Sequence, residues 1–122
     1  MKTLLIIGLG LMAIYIAYRS YRMATQTDGL PELVRKGAVI LDVRTVAEFE
    51  RGHIDGATNI PLSKLHHGPI PLDTGATIIT VCSHGLRSVK AVSVLQERGY
   101  HHVYNGGAWS DLQQALQSKE QP

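Results

Sequence analysis

The hydrophobic pattern of the chain changes character once, near residue 19. Residues 3–18, TLLIIGLGLMAIYIAY, form sixteen positions without a charge, with Lys2 before them and Arg19 and Arg22 after them. A run of this kind predicts a single N-terminal helix suited to a membrane. Sixteen residues rise about 24 Å against a hydrocarbon core of about 30 Å. Snorkelling of Lys2 and Arg19, and the interfacial preference of Tyr15, Tyr18 and Tyr21, reduce that shortfall. Residues 1–22 are therefore expected to be a transmembrane anchor that meets membrane lipid through residues 3–18. The polar stretch 23–28, MATQTD, is expected to be a linker.

Beyond it, residues 29–122 alternate between two periodicities. DGLPELVRKGA, with Pro31 near its start and Gly37 past its end, predicts a brief helix. VILDV is a strand by composition. TVAEFERG predicts a second helix, capped by Thr45 with Glu48 three residues on and closed by Gly52. A short extended stretch follows at 57–60, then a helical turn or two at LSKLHHG and a Pro- and Gly-containing loop. ATIITVC is a second continuous apolar, β-branched run, of the kind buried on both faces of a parallel sheet. From Leu86 to Arg98, Leu86, Val89, Val92 (or Ser93) and Leu95 recur at helical spacing, and this is the expected buried face. HHVYNGG predicts a third short strand and AWSDLQQALQ a last helix, with Trp109, Leu112 and Leu116 on one side. Strands alternating with helices imply an α/β fold whose parallel sheet is covered on both faces.

Composition changes little in this picture. The 44% of hydrophobic residues among 122 reflects the N-terminal run; what remains reads as one ordinary globular domain. A net charge of +2, without a basic stripe interleaved with aromatics, argues against nucleic acid. The charge distribution matters more for orientation. Lys2 precedes the apolar run, whereas Arg19, Arg22, Arg35 and Lys36 follow it, so the positive-inside rule puts the domain in the cytoplasm. A cleaved export signal is the alternative. Against it, each candidate small residue at its end (Ala17, Ser20, Ala24) has Tyr or Arg two positions earlier, a poor cleavage site.

The single cysteine, Cys82, excludes an internal disulfide and a CxxC metal or redox pair. Its context is TIITVCSHGLRSVKAVSVLQ: strand, Cys, a turn containing Gly, then helix. Sites in open parallel sheets form beyond the carboxyl ends of the strands, and Cys82 stands at such an end. The turn to Arg87 should converge backbone N–H groups and the positive helix end on the sulfur, favouring the thiolate. Arg87 adds a planar cation able to fork onto a sulfonate-like oxyanion. The plain alternative is a buried strand-end Cys and a solvated Arg.

The sequence here resembles the rhodanese family. CSHGLRS, residues 82–88, is similar to that family's active-site loop of Cys, two residues, Gly, one residue, Arg. DVRTVAEFERGHIDGATNIP, residues 42–61, is similar to its upstream signature, and GYHHVYNGGAWSDL to its closing strand and helix. The resemblance covers roughly residues 30–116. It implies a rhodanese-like fold and a double displacement, in which Cys82 takes a sulfane sulfur from a donor such as thiosulfate and passes it, as a persulfide, to cyanide or a thiol. No cofactor or metal is implied. Cys82 would be catalytic, and Ser83, His84, Gly85, Leu86, Arg87 and Ser88 would bind substrate.

Three further residues fall in supporting roles. The resemblance sets Asp42 beside the loop as an orienting group; otherwise it is a surface carboxylate. Arg44 and Glu48, four apart, are expected to pair and to fix the DVR segment. His53 is expected to bond backbone, while His84 either favours the thiolate or points to solvent. The adjacent pairs His66 with His67 and His101 with His102 diverge and make poor metal ligands. Phosphatases and arsenate reductases use a related loop, but four residues between Cys82 and Arg87, rather than five, suit a sulfur atom better than a phosphate. A non-catalytic sulfur-carrying or sensing module remains the second reading. The sequence sets neither the oligomeric state nor the physiological donor and acceptor.

Overall fold

The computed structural model describes residues 1–25 and 29–120. The first element, α1 (Lys2–Thr25), is a single 24-residue helix. Its apolar stretch of 20 residues, Lys2–Tyr21, is long and apolar enough to cross a membrane, and none of it is buried in the protein. At 1.5 Å per residue such a stretch rises about 30 Å, which removes the shortfall expected from the uncharged core alone. The helix also runs through 23–25, the first part of the expected linker, because no Gly or Pro stops it there. The rest of that linker, 26–28, lies outside the described residues.

The domain follows as α2 (Leu30–Arg35), β1 (Val39–Asp42), α3 (Val46–Arg51), β2 (Thr58–Asn59), α4 (Leu62–Leu65), β3 (Ile78–Cys82), α5 (Leu86–Glu97), β4 (Val103–Ala108) and α6 (Trp109–Glu120). Four strands form one sheet in the order β2-β1-β3-β4, and every pairing is parallel. Since the strands run the same way, their carboxyl ends share one edge. Asp42 pairs with Val81 in register, which brings the end of β1 level with the end of β3.

The central strands are buried on both faces, as their unbroken β-branched runs require. Alternate residues separate into two cores. Leu41, Ile78 and Cys82 pack with Leu65 of α4 and with Ala91, Val94 and Leu95 of α5. Ile40, Ile79 and Val81 pack on the opposite face with Leu30 of α2 and Leu112 of α6, joined by Trp109 and Leu116. A fully buried Leu or Ile contributes about 2 kcal/mol. These contacts, rather than helix propensity, hold an element as short as α2, whose Leu30, Leu33 and Val34 join the second core.

One expected face is corrected. The buried residues of α5 are Ser88, Ala91, Val94 and Leu95, while Leu86 is 83% and Val89 51% exposed. The turn from β3 enters α5 with Ser88 against the sheet, and that entry sets the helix rotation for every later turn. Thr80 completes the seam, donating its hydroxyl to the Ser88 carbonyl at 2.9 Å. At the far side β4 approaches β3 closely enough to require a side-chain-free residue. A Cβ on Gly106 would stand 2.8 Å from both the Thr80 carbonyl oxygen and Ile79 Cγ2.

Candidate functional site

Cys82 is the last residue of β3 and is 1% exposed. The chain turns at Gly85, whose φ of 93° precedes the first turn of α5; an L side chain adopts that conformation only under strain. The turn folds backbone donors back over the sulfur. Gly85 N–H donates to Cys82 Sγ at 2.9 Å and Ser88 N–H donates at 3.3 Å. Ser88 is itself locked, its hydroxyl donating to the Gly85 carbonyl at 2.9 Å. Two amides aimed at Sγ from the N-terminal turn of α5 favour a negatively charged sulfur there.

Glu48 and Arg87 close the other side of the loop. Arg87 Nη1 donates to Glu48 Oε1 and Nη2 to Oε2, both at 2.8 Å. Ser83 bridges the pair: its hydroxyl donates to Glu48 Oε2 at 2.8 Å and accepts from Arg87 Nη2 at 3.0 Å. Glu48 is held from behind as well, because Oε1 accepts from the Thr45 amide at 3.2 Å and the Thr45 hydroxyl at 3.0 Å. The Thr45 hydroxyl in turn caps the Glu48 amide, completing the expected capping box. Arg87 above all, then Ser83 and Thr45, hold the Glu48 carboxyl far below the usual carboxylate range, against the upward push of desolvation. Glu48 correspondingly raises the Arg87 guanidinium above its ordinary value.

Two expectations are thereby corrected. Arg44 does not pair with the Glu48 carboxylate. Its Nε and Nη2 donate to Asp42, with Nη2 to Oδ2 at 2.7 Å, and its remaining reach goes to the carbonyls of Glu48 and Gly52. Arg44 precedes the N-cap Thr45, so the spacing rule for two residues inside one helix does not apply. Asp42, fully buried, is no surface carboxylate. Both its oxygens accept from Arg44, so it orients Arg44, and through it α3, rather than the loop directly. Arg44 also lies over the Trp109 ring, 4.8 Å from its centroid, which ties this network to α6. Asn59, which sequence reasoning passed over, donates to the carbonyls of Asp42 and Arg44 at 3.0 Å each and fixes the same segment. Its placement beside β1 was the available signal.

The remaining candidates separate cleanly. His53 Nδ1 lies 2.8 Å from the Phe49 carbonyl, and its ring stacks on Phe49, as a structural residue. His84 and Leu86 are exposed on the outer side of the loop. With Gly85, Val89 and Gly107 they line an open cavity of about 410 Å³. Among the described residues no group of three or more His, Cys, Asp or Glu gathers around a common point.

Comparison with known proteins finds a matching family model and matching relatives. Residues 26–114 match the model of the rhodanese-like domain. A thiosulfate sulfurtransferase GlpE of Shewanella oneidensis is 38% identical over 80 residues, covering 62% of this chain and 79% of that protein. The thiosulfate sulfurtransferase PspE of Escherichia coli is 35% identical over 75 residues, covering 59% and 71%. A structure described as a rhodanese with anions from E. coli superposes with a TM-score of 0.55 at 33% identity, covering 62% of this chain and 91% of that one.

Proposed function

Since this chain belongs to the rhodanese-like family, we propose that it is a membrane-tethered sulfurtransferase that carries sulfane sulfur as a persulfide on Cys82. The observation that carries the reading is the pair of amides, from Gly85 and Ser88, converging on Cys82 Sγ. Relatives named thiosulfate sulfurtransferases support the reaction class.

In the first half-reaction the Cys82 thiolate attacks the outer sulfur of the donor. With thiosulfate the S–S bond breaks, sulfite leaves with the bonding pair, and Cys82 keeps the sulfur as Cys–S–S⁻. In the second half, cyanide or a thiolate attacks that outer sulfur and the Cys82 thiolate departs. The amides stay in place throughout, so the negative charge is stabilised without reorganisation. Arg87 stands beside the loop as the group able to fork onto a donor's oxyanion. Leu86 and the cavity next to it offer the acceptor an apolar approach. No second cysteine exists in the chain, so a resolving thiol comes from another molecule. The exposed apolar helix α1 supports the tether, and the basic residues after it support a cytoplasmic domain.

The test is thiosulfate:cyanide sulfurtransfer by the full chain in detergent micelles, alongside Cys82→Ser, with intact-mass detection of one added sulfur. Turnover and a mass shift in the unaltered chain, both lost in Cys82→Ser, are expected. A folded protein that neither turns over nor gains sulfur overturns the enzymatic reading.

A further inference from the structure

The Arg87 guanidinium that would receive an anionic donor is already engaged. Glu48 meets both its terminal nitrogens at 2.8 Å, and Ser83 fastens the pair at Glu48 Oε2 and Arg87 Nη2. A sulfonate needs the same fork, because planar guanidinium recognises carboxylate and sulfonate oxygens by the same parallel N–H bonds. The carboxylate cannot simply swing aside, since Oε1 also accepts from the amide and hydroxyl of Thr45. Releasing it would break the carboxylate half of the α3 capping box.

The charges around the sulfur point the same way. Asp42 neutralises Arg44 and Glu48 neutralises Arg87, leaving the charge of a Cys82 thiolate without a free cation from either pair. A dianion such as thiosulfate approaches this arrangement against repulsion, and must displace Glu48 to gain its counter-ion.

We propose that Glu48 determines donor selectivity by competing for Arg87, disfavouring donors that carry a sulfonate and favouring those that carry none, such as alkyl persulfides. The inference rests on the sulfurtransferase reading and refines its donor class. With an alkyl persulfide the step is R–S–SH plus Cys82–S⁻ giving R–S⁻ plus Cys82–S–SH: one S–S bond breaks, one forms, and the thiolate leaves with the electron pair. Nothing in that step calls on Arg87 to leave Glu48.

The test compares the full chain in micelles with Glu48→Gln, measuring the rate of Cys82 persulfide formation against concentration of thiosulfate and, separately, of an alkyl persulfide. Gln keeps the capping oxygen at the third helical position but removes the charge. The ratio of thiosulfate to alkyl persulfide efficiency is expected to rise about fivefold, the upper range for loss of a partly exposed ion pair. The gain should appear in the KM for thiosulfate more than in kcat, which a merely structural effect would not produce. Ser83→Ala, which loosens the pair without changing its charge, should move the ratio in the same direction by less, and it decides the matter if Glu48→Gln does not fold. An unchanged or lowered ratio in a folded variant overturns the proposal. Failure of both donors to load Cys82 in the unaltered chain removes the sulfurtransferase reading itself, and this refinement with it.

Discussion

Asp42 and Arg44, two residues apart in sequence, close a buried fork in which Arg44 Nη2 lies 2.7 Å from Asp42 Oδ2 and Nε 2.9 Å from Oδ1. Their side chains are 0% and 5% exposed respectively. The fork sits where β1 ends, and Arg44 carries it onward to the carbonyls that close α3. Everything Glu48 does at the site depends on α3 being held there.

Removing one partner should therefore cost much more than a surface ion pair. Asp42→Ala leaves the Arg44 charge buried and is expected to destabilise the domain by about 3–5 kcal/mol. Denaturant unfolding followed by tryptophan fluorescence reads this directly, since Trp109 lies against Arg44. A loss under about 1 kcal/mol would show that solvent or a neighbouring group takes over from Asp42.

Arg87→Ala should weaken loading by thiosulfate by roughly ten- to a hundredfold, the range of a charge-assisted hydrogen bond, and loading by an alkyl persulfide far less. Equal losses with the two donors would mean that Arg87 shapes the loop and binds no oxyanion. The comparison is made under single-turnover conditions, by mass, so that the second half-reaction does not enter.

Gly106→Ala should destabilise the domain by about 2 kcal/mol, because the added Cβ meets the Thr80 carbonyl oxygen and two core methyl groups of β3 within 2.9 Å. Thermal unfolding and hydrogen exchange of the β3 amides test it. A variant as stable as the parent, with β4 still paired, contradicts the close approach of these strands.

The Glu48 pair has a definite pH signature. Its carboxyl is held below its unfolded value of about 4.3, chiefly by Arg87. Its contribution is therefore fully present above that pH and disappears as pH falls through the lower folded value. With side chains 35% and 30% exposed, the contribution is under about 1 kcal/mol. The stability difference between parent and Glu48→Gln should be flat from neutrality to about pH 5 and shrink only in stronger acid. Shrinkage already between neutrality and that pH would show that Arg87 does not hold the carboxylate ionised.

The N-terminal helix predicts a chain that pellets with membranes, resists alkaline carbonate and keeps its first residues. Added protease should reach the domain only from the cytoplasmic side. A soluble product beginning near residues 18–25 would establish a cleaved export signal instead.

Several of these relationships were legible in the sequence because their causes are local. VILDV read as a strand by composition and ATIITVC as a strand buried on both faces, and the structure provides one core on each face. The order of strand, Cys, Gly turn and helix placed Cys82 at a carboxyl edge, where two amides now meet its sulfur. Thr45 and Glu48 announced a capping box, which formed. Each such feature is decided within about one helical turn or one strand, where spacing alone constrains geometry.

Partner choice among the charged residues was decided elsewhere. Glu48 was expected to meet Arg44 and instead reaches Arg87, 39 residues away. The parallel register of Asp42 against Val81 brings the ends of β1 and β3 to one edge, while Arg44 is drawn under the chain by Asp42. Helix rotation was misjudged for the same reason. Leu86 and Val89 belong to the apolar periodicity of α5, yet the turn over Cys82 commits Ser88 to the sheet and leaves them outside. By itself the sequence determined the elements, their order and the place of Cys82 at the carboxyl edge of the sheet. Only the tertiary structure decided that Glu48 neutralises Arg87 and that Leu86 and Val89 stay in solvent, because both follow from register and loop entry across segments that no local spacing connects.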